Sequence, residues 1–479
     1  MEKYRPLYIN GEWVEPKSGE KIDVIDPSTE EIIAQAAKGG VEDVNAAVAA
    51  AQKAYDDFWR DTLPKERSNM LIKIAERMEE HYDEIARLES IDGGKPISVV
   101  KNDDLPFIID AFRFFATAAR HLEGKAAGEY EKDLMSIIRR EPLGVCAGIC
   151  PWNYPIEMVA WKAGAAMAAG NTIVMKPASL TPLSTLYFAE ITKDIIPAGV
   201  FNVITGPGAE IGEALCKHPD VKLVSMTGDT KTGKRIAEVC SGTLKRVQLE
   251  LGGKAPFIIF NDADLDNAVK AIKHAGFTNA GQDCGASCRI LAQEGVYEDV
   301  VDRLIKAAES VKMGATDDPN MDVGPMISAK QRETVQGFVD RAVKDGATIR
   351  TGGKKVEGKG FYFEPTIITD ADQKSEVIQE EVFGPVVTVQ PFKDEAQAVE
   401  MANDVVYGLG SSVWTSDAQT LLRVSRNLQY GTVWANTYFI GTPEMPWGGY
   451  KQSGYGKDMS MYALEEYTQI KHVMTSLNF

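Results

Sequence analysis

Short β-rich runs alternate with helical segments from about residue 145, and this alternation most constrains the fold of the chain. The runs NTIVMKP, VFNVITG and VKLVSMTG are each followed by a segment with helical patterning. Strand–helix–strand units connect in a right-handed sense and build a parallel sheet covered on both faces. Two of the runs end in glycine where a helix should begin, a position at which free backbone N–H groups bind phosphate. We therefore predict an α/β fold that can bind a phosphate-bearing ligand.

The chain is long enough for more than one domain, because 479 residues exceed what a single hydrophobic core supports. A second α/β stretch runs from KAPFIIF, residues 254–260, to about residue 440. Residues 124–143 look like an inserted hairpin, and the C-terminal EEYTQIKHVMTSLNF could pair with it or with another subunit. Apolar residues nearer the N-terminus recur every three or four positions, as on one face of a helix, namely Leu71, Ile74, Met78 and Tyr82.

Charge and composition exclude several classes of protein. The net charge of -17 argues against a nucleic-acid partner, because phosphate backbones bind to Lys and Arg patches. No apolar run is long enough to span a membrane, and the first residues lack the apolar stretch of a signal peptide. Six cysteines are too few for a disulfide scaffold in so long a chain. We expect a soluble cytoplasmic protein with free thiols.

Cys284 is the first candidate for chemistry. It lies in NAGQDCGASCRI, among small residues that let the backbone turn tightly, and Gly285 and Ala286 leave room for a substrate. Nucleophilic attack needs the thiolate, so the neighbours of a reactive cysteine must help it lose its proton. The residues alone leave a second interpretation open, a buried and inert cysteine.

Two further residues fit a reaction at a carbonyl group. Glu250 ends an apolar, strand-like run in QLELGGK, where desolvation would raise its pKa and suit it to general-base catalysis. Asn153 lies between two prolines in PWNYP, so its amide could be fixed as an oxyanion donor. A solvated acid at a strand edge and an ordinary turn asparagine remain the alternatives.

The cysteine spacing also allows a metal site, which we do not expect. Cys146 and Cys150, and likewise Cys284 and Cys288, have C-x3-C spacing that zinc tolerates. However, the first pair lies in a predicted buried strand, and no histidine is near either pair in sequence. The five histidines are scattered, so a cysteine hydrolase would lack an evident base.

Seven sequence motifs occur in an order that resembles the NAD(P)-dependent aldehyde dehydrogenase superfamily. They are PWNYP, KPAS-x-TP, TGDTKTG, LELGGK, GQDC-x4-R, EEVFGPV and PWGG-x-K-x-SG, and together they cover nearly the whole chain. Glu250 and Cys284 are 34 residues apart, as in that family. The stretches AFRFFATAARHLEGKAAGEY, SIIRREPLGV and EMPWGGYKQSGYGKDMSMYALEEYT are most similar to bacterial gamma-aminobutyraldehyde and betaine-aldehyde dehydrogenases.

The resemblance implies a subunit of three parts that assembles into a homodimer or homotetramer. Residues 1–123 and 144–251 would form a Rossmann-like cofactor domain, and residues 252–458 the catalytic domain. Residues 124–143 and 459–479 would form a small β oligomerisation element. The function implied is NAD(P)-dependent oxidation of a small-molecule aldehyde to its acid.

The resemblance also assigns roles to residues. Cys284 would attack the aldehyde carbon, its backbone N–H and the Asn153 amide would hold the oxyanion, and Glu250 would activate water to release the acid from a thioester. Lys176, counted with these catalytic residues, would contact the adenosine ribose of the cofactor. The residues expected to bind the cofactor are Pro151, Trp152, Lys176, Ser179, Gly208, Gly212, Thr227, Gly228, Asp229, Gly233, Leu251, Gly252, Glu381 and Phe383.

Three positions depart from the family pattern. Ser179 replaces a Glu that bonds the ribose and repels a 2′-phosphate, so we predict that NADP is accepted or even preferred, the alternative being a neutral change that retains NAD. Asp229 replaces a Ser beside the pyrophosphate, and we expect it to cap the next helix. Met461 stands where many relatives carry a Glu, so we expect Glu250 to work without a proton relay from that position.

The aldehyde pocket implied by the resemblance carries negative charge and aromatic rings, which favours a cationic substrate. Glu157 stands where apolar residues are usual, and Asp104 lies near a position where aminoaldehyde-oxidising relatives place an acid. An ω-aminoaldehyde or a betaine-like aldehyde is therefore expected, with a broad aliphatic and aromatic specificity as the alternative. The expected substrate contacts are Asp104, Tyr154, Glu157, Met158, Trp161, Thr278 and Trp447.

Two other functions remain to be distinguished. A CoA-acylating enzyme would pass the same thioester to a thiol, but the presence of Glu250 favours hydrolysis. A non-catalytic binding paralogue would be expected to lack Cys284, Glu250 or Asn153, and all three are present.

Overall fold

A computed structural model describes residues 4–478, and its strands alternate with helices through most of the chain. The ends of the predicted domains, residues 1–3 and 479, lie outside the described residues. The strands are β1 (Tyr4–Arg5), β2 (Leu7–Ile9), β3 (Glu12–Val14), β4 (Lys21–Asp26), β5 (Glu31–Ala37), β6 (Lys125–Glu131), β7 (Leu134–Pro142), β8 (Val145–Ile149), β9 (Thr172–Lys176), β10 (Phe201–Val203), β11 (Val221–Gly228), β12 (Arg246–Leu251), β13 (Pro256–Ile259), β14 (Arg289–Gln293), β15 (Thr348–Thr351), β16 (Thr366–Thr369), β17 (Val386–Phe392), β18 (Gly410–Trp414), β19 (Thr432–Ala435), β20 (Gly454–Tyr455) and β21 (Thr468–Ser476).

The helices cover the sheets and join their strands. They are α1 (Val41–Asp57), α2 (Pro64–Glu80), α3 (Tyr82–Gly93), α4 (Ile97–Val99), α5 (Leu105–Ala118), α6 (Pro155–Val159), α7 (Ala165–Ala169), α8 (Leu183–Thr192), α9 (Glu213–Lys217), α10 (Thr230–Ser241), α11 (Leu265–Phe277), α12 (Tyr297–Glu309), α13 (Ala329–Lys344), α14 (Glu376–Gln379), α15 (Glu395–Asn403), α16 (Ala418–Asn427) and α17 (Ser460–Glu466). Wider π-helical turns cover Val100–Asp104, Ala160–Gly164 and Gly208–Gly212.

Two large sheets confirm the predicted α/β fold. Within residues 4–478, one sheet has the order β20-β12-β11-β8-β9-β10-β2-β3, and its strands from β12 to β10 run parallel. The other has the order β15-β16-β17-β14-β13-β18-β19 and is parallel except for β15. Helices cover both, because parallel strands need crossover connections. The antiparallel edge strand β20 brings residues 454–455 from late in the chain to the first sheet.

A third sheet joins the insertion to the C-terminus. Strands β6 and β7 form a hairpin, and β21 pairs antiparallel with β7 from Thr468 opposite Pro142 to Ser476 opposite Leu134. Of the two partners considered for the C-terminal segment, the hairpin of the same subunit is therefore the one it pairs with. Several apolar side chains of this strand are exposed, among them Ile470 and Met474.

The N-terminal helices pack as their apolar spacing predicts, with one difference. Leu71, Ile74 and Met78 are buried on one face of α2. Tyr82 continues that spacing in the sequence, but it begins α3, because α2 ends at Glu80 and His81 separates the two helices. No helix among residues 4–478 is both long and apolar enough to cross a bilayer.

Candidate active site

The turn before Cys284 is held in an unusual backbone conformation. After α11, residues Asn279, Ala280 and Gly281 all have positive φ, at 53°, 55° and 67°. Such a left-handed run is costly for residues with a side chain and persists only where surrounding contacts impose it. A side chain at Gly281 would collide with the backbone of Gly384, so this position requires glycine. Cys284, which follows this turn, lines a cavity.

Gln282 stabilises that turn from inside the protein. Its amide donates to the carbonyl of Asn279 at 3.0 Å and accepts from the backbone N–H of Ile327 at 2.9 Å. Gln282 is fully buried, so these hydrogen bonds are shielded from competing water. Gln282, within the GQDC motif, therefore stabilises the loop and is not among the residues that line the cavity.

Asn153 is fixed against the same loop. Its Nδ2 donates to the carbonyl of Gln282 at 3.1 Å, and its own carbonyl accepts from Asn279 Nδ2 at 3.1 Å. The side chain is buried at the start of the turn that leads from β8 to α6, and it lines the cavity beside Cys284. An NH₂ group has two donors, so Asn153 retains one for an oxygen bound beside Cys284.

Glu250 reaches the cavity from the end of β12. It lies opposite Thr227 of β11 and Gly454 of β20, so strands on both sides hold its backbone. Burial raises the pKa of Glu250 to about 8, and the nearby Asp458 adds to this. Burial, and after it the charge of Glu250, hold the pKa of the Cys284 thiol well above its usual value. Cys284 and Glu250 line the same cavity, and each raises the cost of ionising the other.

Glu250 has buried ionisable neighbours, although position 461 supplies none. Met461 packs against the hydrophobic core, as a residue without a relay role would. Lys162 and Asp458, however, are both fully buried, 3.4 Å apart, and both influence the pKa of Glu250. Lys162 also donates to Ser225 Oγ at 2.9 Å. The second acid near Glu250 is therefore Asp458, three residues before the position that the sequence analysis considered.

The predicted substrate residues line one cavity together with the reacting groups. Its volume is about 620 Å³. The Nε1 of Trp447 donates to Glu250 Oε1 at 3.2 Å, and Trp447 also lies beside Gly285. The predicted residues in this cavity are Asp104, Pro151, Asn153, Tyr154, Glu157, Met158, Trp161, Thr227, Glu250, Thr278, Cys284 and Trp447.

Lys95, a buried lysine that the sequence analysis did not single out, balances the charge of one acidic residue that lines the cavity. Lys95 forms an ion pair with Asp104, and its Nζ lies 3.7 Å from the centre of the Tyr154 ring. Tyr154 donates its hydroxyl to Asp283, whose other oxygen accepts from the N–H of Gly285 at 2.6 Å.

Glu157 is half-buried and lines the same cavity. Burial, and after it the charge of Asp104, raise the pKa of Glu157 well above its usual value. The carboxyl group therefore holds its proton more tightly than an exposed one would, and a positive charge beside it would favour the ionised form.

Lys176 lies beside the predicted phosphate-binding glycines and is absent from the lining of the Cys284 cavity in the described chain. Its side chain passes 3.8 Å from the position that a Cβ would take on Gly208 or Gly212. Burial lowers its pKa to about 8. Ser179 donates to the carbonyl of Gly206 at 2.9 Å and is half-exposed. This neighbourhood suits a sugar–phosphate contact rather than a role at the reacting carbon.

A second group of predicted cofactor residues surrounds Glu381. Its Oε1 accepts from the N–H of Gly253 at 2.8 Å, and a side chain on Gly252 would collide with its carboxylate. Burial raises the pKa of Glu381 to about 8. The rings of Trp152 and Phe383 meet edge to face at 5.2 Å. Among residues 4–478, the buried Thr227 hydroxyl has no hydrogen-bond partner, which leaves a polar group for a ligand.

Helix α10 begins inside the TGDTKTG motif and has the predicted cap. Asp229 caps α10 by accepting from the N–H of Thr232 at 2.9 Å, so its carboxylate is directed to its own helix. A Cβ on Gly233 would lie 2.6 Å from Leu251, so glycine allows α10 to pack closely on β12. A Cβ on Gly228 would likewise lie 2.5 Å from the side chain of Met226. Glycine at these two positions therefore allows close packing around the start of α10.

The comparison with protein families decides the identity of this arrangement. The model of the aldehyde dehydrogenase family matches residues 13–473. The chain belongs to the aldehyde dehydrogenase family. It is therefore an aldehyde-oxidising oxidoreductase, as the seven motifs predicted.

Individual family members match over nearly the full chain. The betaine aldehyde dehydrogenase of Bacillus subtilis (strain 168) is 41% identical over 98% of this chain and 96% of its own length. An aldehyde dehydrogenase of Emericella nidulans is 42% identical over 98% of this chain and 94% of its own length. The NAD+ complex of the Bacillus cereus aldehyde dehydrogenase superposes with a TM-score of 0.97 at 40% identity, over 99% of this chain and 96% of that chain.

Proposed function

We propose that this aldehyde dehydrogenase oxidises an aldehyde to its carboxylic acid with NAD(P), through a thiohemiacetal and a thioester on Cys284. The observation that carries the proposal is that Cys284, Glu250 and Asn153 line one cavity. As the sulfur of Cys284 attacks the aldehyde carbon, the thiol proton passes to solvent. The Asn153 amide and the N–H of Cys284 then hold the oxyanion.

NAD(P), when bound, supplies the hydride acceptor for the oxidation. As the hydride leaves the thiohemiacetal carbon, the oxyanion closes to the carbonyl of a thioester on Cys284. Glu250 next takes a proton from water as the water oxygen adds to that carbonyl. The carbon–sulfur bond breaks, the Cys284 thiolate leaves, and the acid is released. Glu250 then releases its proton to solvent and becomes a carboxylate again, with Lys162 and Asp458 near enough to influence its pKa.

The residues around Lys176 and Glu381 fit a dinucleotide. Gly208 and Gly212 allow close approach beside a lysine, Glu381 offers a carboxylate to ribose hydroxyls, and the Thr227 hydroxyl has no partner in the described chain. The Bacillus cereus and Staphylococcus aureus relatives were solved with NAD+.

The same residues bear on the choice between the two cofactors. Ser179 carries no negative charge, and Lys176 lies close to Gly208. A 2′-phosphate on the adenosine ribose would therefore meet a hydroxyl and a cation rather than a carboxylate. NADP is accordingly accepted in addition to NAD.

The substrate class is a cationic aldehyde. Glu157 lines the cavity with the rings of Tyr154, Trp161 and Trp447, a combination that attracts ammonium groups. A cation entering there favours the ionised form of Glu157. Asp104 contributes less, since Lys95 already balances its charge. The Lys95–Asp104 ion pair also favours the alternative, a broad specificity for neutral aldehydes, because it leaves less negative charge for a cationic substrate.

A homo-oligomer, either a dimer or a tetramer, is proposed from the third sheet. The apolar side chains exposed along β21, including Ile470 and Met474, would be covered by a second copy. Light scattering coupled to gel filtration measures the mass directly.

The proposed function is tested by initial rates of NAD(P)H formation with 4-aminobutyraldehyde and butyraldehyde, each with NAD and with NADP. A higher kcat/KM for the aminoaldehyde supports the cationic pocket, and equal values support broad specificity. An absence of NAD(P)H formation with every aldehyde would overturn the proposal.

A further inference from the structure

Trp447 contacts both sides of the reaction centre. Its indole Nε1 lies 3.2 Å from Glu250 Oε1, while its ring lies 3.3 Å from the position that a Cβ would take on Gly285, next to Cys284. The ring is half-buried and forms part of the wall of the cavity. A single side chain therefore touches the base, the nucleophile loop and the substrate space.

The backbone fixes Trp447 in this position. Trp447 and Asp458 form an antiparallel bridge, with hydrogen bonds of 2.9 and 2.8 Å between their backbone groups. Asp458 is the buried acid beside Lys162. The bridge thus carries two residues that act on Glu250 in opposite senses: the indole N–H stabilises its anion, and the charge of Asp458 opposes it.

We propose that Trp447 is a positioning residue for the hydrolytic step, because its N–H donates to the Glu250 carboxylate and holds it in the orientation that activates water. The inference rests on the proposed function, in which Glu250 is the base for thioester hydrolysis. It gives Trp447 a role beyond that of a wall for the aldehyde. In the proposed reaction Glu250 acts only on the hydrolytic water, so formation of the thioester does not require this contact.

Substituting Trp447→Phe keeps an aromatic wall and removes the N–H. Losing a hydrogen bond to a charged group should slow hydrolysis on the order of tenfold to a hundredfold. The pH at which hydrolysis reaches half its maximum should rise, since the Glu250 anion loses a donor. The other titratable groups that influence or are influenced by Glu250, namely Cys284, Asp458, Lys162 and Glu381, are unchanged.

Trp434→Phe is the matched control. Trp434 lines the same cavity, and its ring lies 5.9 Å from that of Trp447. Its Nε1, however, donates to the carbonyl of Ile440 at 2.9 Å and not to Glu250. This variant can change the KM for the aldehyde, but it should leave the pH dependence of hydrolysis where it is in the wild type.

The experiment measures the burst of NADH and the subsequent steady-state rate against pH, with saturating aldehyde and NAD. The inference predicts that Trp447→Phe retains the burst rate, loses steady-state turnover and shifts the pH midpoint upward. A changed KM with an unchanged kcat and an unchanged pH midpoint would show that Trp447 only lines the aldehyde cavity, and would overturn the inference. If the Phe variant does not fold, β-(3-benzothienyl)alanine at position 447 removes the N–H while keeping the bicyclic ring. A wild-type enzyme that forms no NADH would refute the proposed function itself, and with it this inference.

Discussion

The Lys95 ammonium lies 3.7 Å from the centre of the Tyr154 ring, so the aromatic wall of the aldehyde cavity already binds a cation that belongs to the protein. Lys95 also pairs with Asp104, and both side chains are buried. Glu157 is therefore the acidic group left to meet a cationic substrate, whose charge would favour its ionised form. This arrangement determines which acidic residue should control specificity.

Replacing Glu157 with Gln should weaken recognition of a cation without changing the shape of the cavity. Betaine aldehyde and 3,3-dimethylbutanal differ only in the charged nitrogen, so they isolate the electrostatic effect. We expect the KM for betaine aldehyde to rise about tenfold or more, the loss associated with a contact to a charged group, while that for the neutral aldehyde stays constant. Asp103→Asn, at the exposed rim of the same cavity, serves as the control. An equal change for both aldehydes would refute the cationic assignment.

Lys95→Met should destabilise the fold, because Asp104 would be left as a buried charge without a partner. Removing one member of a buried ion pair costs about 3–5 kcal/mol. The double variant Lys95→Met/Asp104→Leu should recover much of that loss, since no charge then remains. The measurement is the urea midpoint of the wild type and the variants. A Lys95→Met protein as stable as the wild type would contradict the pairing.

Turnover should depend on pH through Glu250. Hydrolysis needs the carboxylate, and the pKa of Glu250 is raised to about 8, so kcat should increase as the pH rises through about 8 and level off above it. Asp458→Asn removes a negative charge that raises this pKa and leaves Lys162 to lower it. The profile of kcat against pH should therefore move to lower pH in that variant. A shift to higher pH, or none, would disprove the coupling.

Ser179→Glu should discriminate against NADP. A carboxylate at this position would face the 2′-phosphate, and like charges in contact cost enough to reduce kcat/KM about tenfold or more. The introduced carboxylate can also bond the ribose hydroxyls of NAD, so the NAD value should hold or improve. Ser179→Ala, which adds no charge, is the comparison. Equal NADP kinetics in the wild type and the Ser179→Glu variant would show that this position does not select the cofactor.

The sequence was sufficient to predict the α/β fold, the family and the Asp229 cap, because these depend on local patterns and ordered motifs. It did not indicate Lys95 or the Lys162–Asp458 pair. A lysine inside the apolar run AWKAG signals a buried charge but not its partner, and Asp458 lies 296 residues further along the chain.

Two other contacts were missed because they depend on the tertiary fold. The acid near Glu250 comes from position 458 rather than 461, and only the connection between β20 and α17 brings it there. Asp283, adjacent to Cys284, was visible in the sequence, but its hydrogen bond to Tyr154 joins loops that are 129 residues apart.

The central claim is that Cys284 carries the substrate as a thioester that Glu250 hydrolyses. The most direct test mixes the Glu250→Gln variant rapidly with aldehyde and NAD, then follows NADH formation and the intact mass of the protein. We predict a burst of NADH approaching one equivalent per active site, a steady-state rate reduced about 10²-fold or more, as for loss of a general base, and an acyl group on Cys284. Steady-state turnover equal to that of the wild type, or no burst and no acyl adduct, would contradict the claim.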